Sequence, residues 1–95
     1  HYLLTDEILF MKANNKICEI VTQNGIVSCR MTLTELENFP FIRIHKSYLI
    51  NLSFISELFA GSGNGLSVHM KGYESRELPV GREKLKTLKQ LLKIS

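Results

Sequence analysis

The 95-residue sequence contains no apolar stretch near the ~20 residues that a membrane-spanning helix requires. It has no low-complexity run, no internal repeat and no interdomain linker, and no basic-then-apolar signal peptide opens it. We therefore expect residues 1–95 to form a single cytoplasmic domain without membrane contact. The chain begins very close to a predicted strand, so we also expect it to be a fragment of a longer protein.

Cysteine and histidine are too few and too scattered to predict a metal site. The two cysteines are Cys18 and Cys29, and the three histidines lie at positions 1, 45 and 69. This spacing fits no zinc motif, so we expect neither a metal ion nor another cofactor. The cysteines flank the turn-forming pair Asn24-Gly25 almost symmetrically, which makes a disulfide sterically conceivable. Two reduced thiols are the ordinary alternative in a cytosolic domain, and the sequence leaves both open.

The excess of positive charge is small and lies in the second half of the chain. The net charge is +3, and residues 48–95 carry seven basic and four acidic side chains, against five of each in residues 1–47. Near the end of the chain only Glu83 opposes a run of five basic residues, Arg82, Lys84, Lys86, Lys89 and Lys93. Such a surface suits a nucleic acid, although a solvated helix face has the same composition.

Short apolar runs separated by turn signals predict a mainly β fold of antiparallel strands, over residues 8–12, 17–22, 26–31, 55–59, 66–70 and 73–78. Asn24-Gly25 indicates a hairpin between the second and third strands. In the strand 66–70, apolar residues alternate with Ser67 and His69, which we expect on the solvent side. The glycine-rich segment 61–65 joins two strands and opens no helix, so we interpret it as a hairpin tip and not a phosphate-binding loop.

Two helices complete the predicted fold. Thr32-Leu33-Thr34-Glu35 is a capping-box pattern, and Pro40 ends the short helix that it begins. A stripe of leucines over Glu83–Leu92 predicts a C-terminal helix whose lysines face solvent. The fold class is therefore mainly β, an antiparallel β-strand scaffold with one short internal helix and a C-terminal helix.

The segment from Phe41 to Ile55 holds a polar centre between two apolar anchors. A β-prone run ends at Ile44, His45-Lys46-Ser47 follows, and Tyr48-Leu49-Ile50 is again apolar. The three hydrogen-bonding side chains are thus fixed at both ends. This arrangement suits a rigid binding loop better than a solvated one.

No catalytic constellation is recognisable in the sequence. His45 and Ser47 are close together, but no acidic residue adjoins them to orient a general base. Glu74 and Glu77 lie in a polar predicted strand, where solvated carboxylates are the default. We therefore expect a protein that is not an enzyme.

Polar and basic side chains recur at three predicted turns: Asn14-Asn15-Lys16, then His45-Lys46-Ser47, then Arg82 with Lys84. Arginine and lysine donate to guanine O6 and N7, and asparagine pairs with adenine in the major groove. Serine and lysine also bind phosphates, which position a protein on DNA without reading its sequence. Three such turns on one edge of the fold would suit a DNA duplex.

The same residues carry a resemblance to a known family. Phe41–Asn51 resembles the Phe-x-Arg-x-His-Arg/Lys-Ser-Tyr-Ile/Leu-Val-Asn core of the LytTR-type bacterial DNA-binding domain, with Ile50 where Val is usual. Residues 8–13 are similar to the family's Ile-Leu-Tyr-Ile-Glu-Ala strand, 31–37 to its short helix and 78–82 to its Val-Pro-Val-Ser-Arg segment. The resemblance spans about residues 6–93, in order.

The resemblance implies an elongated domain that binds double-stranded DNA through loops inserted in the major groove. It also implies the C-terminal output domain of a two-component response regulator, which regulates transcription downstream of a receiver domain and binds paired repeats as a homodimer. Carried over by position, the candidate DNA-binding residues are Asn15, Lys16, Arg43, His45, Lys46, Ser47, Arg82 and Lys84. Arg43 and His45 are expected either to touch DNA or to hold the second turn by hydrogen bonds to its backbone.

The sequence departs from the family pattern in two places. Gly81 stands where serine is usual, which removes a hydroxyl next to Arg82. Residues 1–5 leave little room for the family's first strand.

Two other functions remain compatible with the residues. A protein-interaction module would use edge strands or the basic C-terminal helix. Binding of single-stranded RNA on a sheet normally needs exposed aromatic side chains. Most aromatic residues here, Phe39 among them, are predicted in the core, and Tyr73 is the one obvious exposed candidate.

Overall fold

The computed structural model describes residues 5–63 and 65–92. Within them, eight strands form two antiparallel sheets, with two α-helices. The elements are β1 Ile8–Asn14, β2 Ile17–Thr22, β3 Gly25–Cys29, α1 Leu33–Leu36, β4 Phe41–His45, β5 Tyr48–Asn51, β6 Ile55–Ala60, β7 Leu66–Met70, β8 Leu78–Pro79 and α2 Arg82–Leu92. The predicted fold class is confirmed, and the domain measures 39 Å along its longest axis and 24 Å along the other two. Residues 1–5, where the family's first strand was expected to have little room, lie largely outside the described part of the chain. Asn64 and Lys93 also lie outside it.

The larger sheet, in the order β3-β2-β1-β5-β4, buries a different cluster on each face. On one face Phe10 and Ile50 pack with Leu88 of α2 and with the smaller sheet, β6-β7-β8. On the other face Met11 and Leu49 pack with Leu33 of α1. Side chains of successive strand residues point to opposite faces, so β1 and β5 supply apolar residues to both clusters. These two strands are therefore the centre of the domain.

The first two hairpins have two-residue loops. Asn15 and Lys16 connect β1 to β2, and Asn15 adopts the left-handed backbone conformation with φ of 60°. Asparagine tolerates that conformation better than most residues. Between β2 and β3 the loop is Gln23-Asn24, because Thr22 pairs with Gly25. The predicted hairpin is confirmed, but its turn lies one residue before the predicted Asn24-Gly25 pair.

Cys18 and Cys29 lie directly opposite each other on β2 and β3, and both are free thiols. Cys18 is buried and Cys29 is half-buried. Burial, with a smaller contribution from the neighbouring Cys29, raises the pKa of the Cys18 thiol to about 11. A thiol with a raised pKa is a poor nucleophile at neutral pH, so Cys18 behaves as a small core residue.

The capping box predicted for α1 is present. The Thr32 hydroxyl accepts the Glu35 backbone N–H at 3.1 Å, and the Glu35 carboxylate accepts the Thr32 backbone N–H at 2.9 Å. These hydrogen bonds to the charged carboxylate lower the pKa of Glu35. The cap fixes a helix of only four residues, whose Leu33 packs on the larger sheet.

Helix α2 packs through the predicted leucine stripe. Leu88 is fully buried, Leu85 and Leu92 are half-buried, and Leu91 is 41% exposed.

No helix among the described residues is long and apolar enough to cross a membrane.

The smaller sheet differs from the prediction in two ways. The strand predicted over 73–78 is reduced to Leu78–Pro79, because Tyr73 and Arg76 make turn hydrogen bonds to Met70 and Tyr73 instead of ladder bonds. Ser67, predicted on the solvent side, is only 6% exposed. It lies against Gly61, where a Cβ atom would collide with its hydroxyl.

The glycine-rich segment 61–65 joins β6 to β7 as the predicted hairpin tip. The Gly61 N–H donates to the Gly65 carbonyl at 3.1 Å. The backbone N–H and hydroxyl of Ser62 donate to the Glu77 carboxylate at 2.6 and 2.9 Å, and these bonds lower the pKa of Glu77. The Ser62 N–H is thus bonded within the protein and does not form part of a phosphate cradle.

Candidate nucleic-acid interface

Three connecting segments meet at one edge of the domain. We call Asn15-Lys16 the first loop, Lys46-Ser47 the second loop and Val80-Gly81 the third loop. The Ala13 N–H, just before the first loop, donates to the Ser47 carbonyl at 2.9 Å. The Gly81 N–H donates to the Ile44 carbonyl at 2.6 Å. Main-chain hydrogen bonds therefore tie the first and third loops to the β4–β5 hairpin that carries the second.

The hydrogen bond from Gly81 to Ile44 depends on a bulge in β4. Arg43 pairs with Leu49 and His45 pairs with Tyr48, so Ile44 is an extra residue without a partner on β5. Its side chain is fully buried, and its carbonyl is the one that accepts the Gly81 N–H. The buried Ile44 side chain thus anchors the β4–β5 turn in the core. The Ile44 carbonyl binds Gly81, the residue just before α2.

His45 supports the second loop from within. Its Nδ1 atom accepts the Ser47 backbone N–H at 3.1 Å, which requires an unprotonated Nδ1. Its ring lies 5.8 Å from the buried Tyr48 ring, centre to centre. Of the two roles expected for His45, the structure shows the hydrogen bond to the loop backbone, and contact with DNA stays a prediction.

Arg43 contacts α1 and makes no hydrogen bond to the second loop. Its guanidinium donates to the Thr34 hydroxyl at 3.2 Å, and its Nε lies 3.8 Å from the Glu37 carboxylate. The side chain is only 18% exposed. Of the two roles expected for Arg43, the hydrogen bond to the loop backbone is not made, because the side chain extends over α1, and contact with DNA stays a prediction.

The remaining candidates differ in exposure. Asn15, Lys16, Lys46 and Arg82 are exposed, whereas Ser47 and Lys84 are half-buried. Arg82 is the first residue of α2, directly after the third loop. The exposed cations and amide therefore lie next to the points where the main chain is held.

A basic groove of about 180 Å³ runs between the first loop, the second loop and α1. Asn15, Lys16 and Lys46 line it on the loop side, together with Arg43 and Arg30. The first two loops thus share one continuous surface with α1.

Comparisons with known proteins identify this architecture. A sequence profile of the LytTr DNA-binding domain matches residues 1–93. The chain belongs to the LytTr DNA-binding domain family. The resemblance seen in residues 41–51 is therefore confirmed over nearly the whole chain.

Two curated relatives are regulators of greater length. The sensory transduction protein LytT of Oceanobacillus iheyensis is 33% identical over 69 residues, which cover 68% of this chain and 28% of that protein. The transcriptional regulatory protein YpdB of Escherichia coli K12 is 29% identical over 91 residues, which cover 92% of this chain and 37% of that protein. The chain thus spans roughly a third of the length of these relatives.

The fold agrees with a solved structure. A LytTr DNA-binding domain from Bacillus cereus superposes with a TM-score of 0.80, covering 95% of this chain and 84% of that one. Sequence identity is 18%, so this likeness concerns the fold alone.

Gly81 stands where the family usually has serine, and lack of space does not explain this difference in the LytTr domain. A Cβ atom added there would lie 3.5 Å from the Ile44 carbonyl oxygen and 3.5 Å from a Glu83 carboxylate oxygen. Both are ordinary van der Waals distances, so the family's usual serine would fit. Nothing in the structure explains the glycine.

Two residues with a role in this LytTr domain were missed from the sequence. Asn51 is 1% exposed, donates to the Ile8 carbonyl at 2.9 Å and accepts the Ser53 N–H at 3.0 Å, so it joins the end of β5 to the start of β1. Arg76 donates to the Tyr48 hydroxyl at 3.5 Å, behind the second loop. The apolar run around Asn51 was the available signal for a buried amide. Arg76 had none, because its partner is 28 residues away.

The aromatic side chains in residues 5–63 and 65–92 of the LytTr domain do not form a stacking surface. Phe39 is 74% exposed, so its predicted core position is wrong. Tyr73, predicted to be exposed, is half-buried with its ring packed edge-on against Phe10 at 5.4 Å. Across the described residues, no group of three or more His, Cys, Asp or Glu side chains is placed to hold a metal ion.

Proposed function

We propose that this LytTr domain binds double-stranded DNA by inserting its three loops in the major groove. The observation that carries the proposal is the pair of main-chain hydrogen bonds, Ala13 to Ser47 and Gly81 to Ile44, that hold the loops at one edge. Loops fixed in this way lose little conformational freedom when they meet a ligand, which favours affinity. Eight side chains are proposed to form or support the contact: Asn15, Lys16, Arg43, His45, Lys46, Ser47, Arg82 and Lys84.

The roles within that set follow from chemistry and exposure. Arg82 and Asn15 are the proposed base-reading residues, because arginine matches guanine and asparagine matches adenine on the major-groove edge. Lys46 and Ser47 are proposed to bind DNA at the second loop. His45 is proposed as a support of the second loop, because it bonds the loop backbone. The role left for Arg43 is contact with DNA, because its side chain bonds α1 and not the loop.

We further propose that the domain is the output part of a cytoplasmic two-component response regulator. The relatives are named as a sensory transduction protein and a transcriptional regulatory protein, and both extend well beyond the matched region. A receiver domain upstream would control the domain, which would bind paired repeats as a homodimer and regulate transcription. The symmetry of such a dimer would match that of the repeats.

A salt series tests DNA binding itself. Each DNA phosphate that the protein neutralises is expected to make log K fall with log[salt] by a slope of about −0.9. Affinity for a random-sequence duplex, measured by fluorescence anisotropy from low to moderate salt, gives the number of such contacts. An affinity that does not change with salt concentration would contradict the proposal.

Lys46→Ala tests the second loop. One phosphate contact contributes a slope of about 0.9. When that contact is lost, the variant is expected to bind as well as the unaltered protein at 1 M salt and roughly eightfold more weakly than it at 0.1 M. If Lys46 reads a base instead, the loss concerns the target sequence and spares random DNA. A gel-shift titration compares both duplexes, and unchanged affinity on each would remove this loop from the proposed interface.

A protein-interaction module is the second candidate, favoured by an apolar groove beside β3. The groove measures about 950 Å³ and is bordered by exposed Val27, Met31 and Phe39. Strand β3 is also an edge strand of its sheet, with unpaired backbone groups on one side. A domain with this function alone would be indifferent to DNA, so the salt series separates the two candidates.

A further inference from the structure

The basic groove between the first loop, the second loop and α1 collects positive charge from four separate segments of the chain. Lys16 comes from the β1–β2 hairpin, Arg30 from the connection after β3, Arg43 from β4 and Lys46 from the β4–β5 hairpin. No acidic side chain is among the described residues that line it. Four like charges brought together without a lining carboxylate make a local positive potential that attracts an anion.

Most of this charge is not compensated within the protein. Arg43 is the exception, since it lies 3.8 Å from Glu37 and bonds Thr34. In residues 5–63 and 65–92, neither Lys16, Arg30 nor Lys46 forms an ion pair with a carboxylate. Three cations therefore face the groove with their charge available to a ligand.

We propose that the basic groove binds a phosphate of the DNA backbone and that Arg30 is one of the residues that contact it. The inference rests on the proposed DNA-binding function and adds a residue and a ligand group to it. Arginine suits this task, because its planar guanidinium can give two parallel hydrogen bonds to phosphate oxygens.

The position of the groove favours a phosphate over a base. Asn15, Lys16 and Lys46 stand in the two hairpin loops, whereas Arg30 follows β3, one position beyond the Cys18–Cys29 pair, in the connection to α1. When loop tips enter a major groove about 12 Å wide, the strands that border that groove carry the phosphates. A cation that lies beside the loops and is not part of them is therefore expected to meet the backbone. The groove, at about 180 Å³, holds several times the ~30 Å³ share of one water molecule, which leaves room for a phosphate group.

Arg30→Ala tests the assignment. The variant is expected to lose affinity by the same factor for target and random-sequence duplexes, about eightfold at 0.1 M salt, with a salt slope lower by about 0.9. Arg30→Lys should keep most of the slope because it keeps the charge. Lys71→Ala is the matched control, since it also removes one exposed cation but lies at the end of β7, outside the groove. Thermal unfolding of each variant shows whether the fold is retained.

The outcomes separate the inference from the function on which it rests. A flat salt series for the unaltered protein would mean that it binds no DNA, and both would fall. A steep slope that Arg30→Ala leaves unchanged would overturn the groove assignment alone. A loss confined to the target duplex would make Arg30 a base-reading residue, which also overturns it.

A free anion is the other source of the same chemistry. Inorganic phosphate, titrated without DNA and followed through the amide resonances of Lys16, Arg30 and Lys46, is expected to give no saturation. Saturable shifts there, combined with no effect of Arg30→Ala on DNA, would identify a small-anion site and contradict the proposal.

Discussion

Arg82→Ala is expected to weaken binding to the target duplex by about 1–3 kcal/mol and to relax the preference at one base pair. Arg82 is exposed, and the preceding residue is held against Ile44 by a 2.6 Å main-chain hydrogen bond. Its Cα position is thereby fixed relative to the second loop. A guanidinium in that position can donate both hydrogen bonds that guanine O6 and N7 accept, and alanine can donate neither.

The measurement needs the target sequence, which selection of bound duplexes from a random pool supplies. Gel-shift titrations then compare the variant on the target, on single-base changes and on random DNA. Lys89→Ala is the matched control, because Lys89 is an exposed cation about 10 Å further along the same helix. An equal loss on target and random DNA would mean that Arg82 binds a phosphate.

Leu88→Ala is expected to lower the free energy of unfolding by about 2–5 kcal/mol. Leu88 is fully buried and is the α2 residue that enters the cluster with Phe10 and Ile50. Its removal takes away apolar contacts and leaves a cavity that the surrounding strands fill only in part. In a domain of this size each kcal/mol lowers the unfolding midpoint by roughly 4–8 °C, so thermal unfolding measures the effect.

Leu91→Ala on the same helix is the control for Leu88→Ala. Leu91 is 41% exposed, so its truncation should change stability by no more than about 0.5 kcal/mol. Equal destabilisation by both substitutions would show that α2 packs through a broader face than the leucine stripe. Equal tolerance of both would show that α2 contributes little to the stability of the domain.

Local signals in the sequence were enough for much of the fold. The capping box of Thr32 and Glu35 acts over three residues, and the leucine stripe of α2 over one or two turns. Both patterns report interactions that the chain makes with itself nearby, so they could be read without knowing the fold. The hairpins were predictable for the same reason, although the turn before Gly25 was displaced by one residue.

The errors arose where distant segments decide the environment. Ser67 is buried because Gly61 lies against it, although strand alternation placed it in solvent. Phe39 is exposed although it is large and apolar, and it lies in the connection between α1 and β4 at the border of the open groove beside β3. Residue type predicts burial only on average. The sequence of one strand or helix does not show which distant segment packs against it.

The candidate site divides in the same way. Asn15, Lys46 and Arg82 could be proposed from turn positions and residue chemistry, and they do lie exposed at or beside the three loops. Arg30 could not, because its place in the basic groove follows from the register of β2 with β3 and from the position of α1. Arg43 was placed correctly on β4, but its bond to Thr34 depends on where α1 packs.

The bonds that hold the loops together have a consequence for how this domain can evolve. Both are made by main-chain atoms, so they do not depend on the side chains of Lys46 and Arg82, whereas the left-handed backbone at Asn15 restricts the residue there. Under the proposed function, a substitution at Lys46 or Arg82 would alter the preferred DNA sequence while the spacing of the loops is inherited unchanged. Under that proposal, related domains would be able to diverge in their target sequences at these positions while they keep the same arrangement of loops.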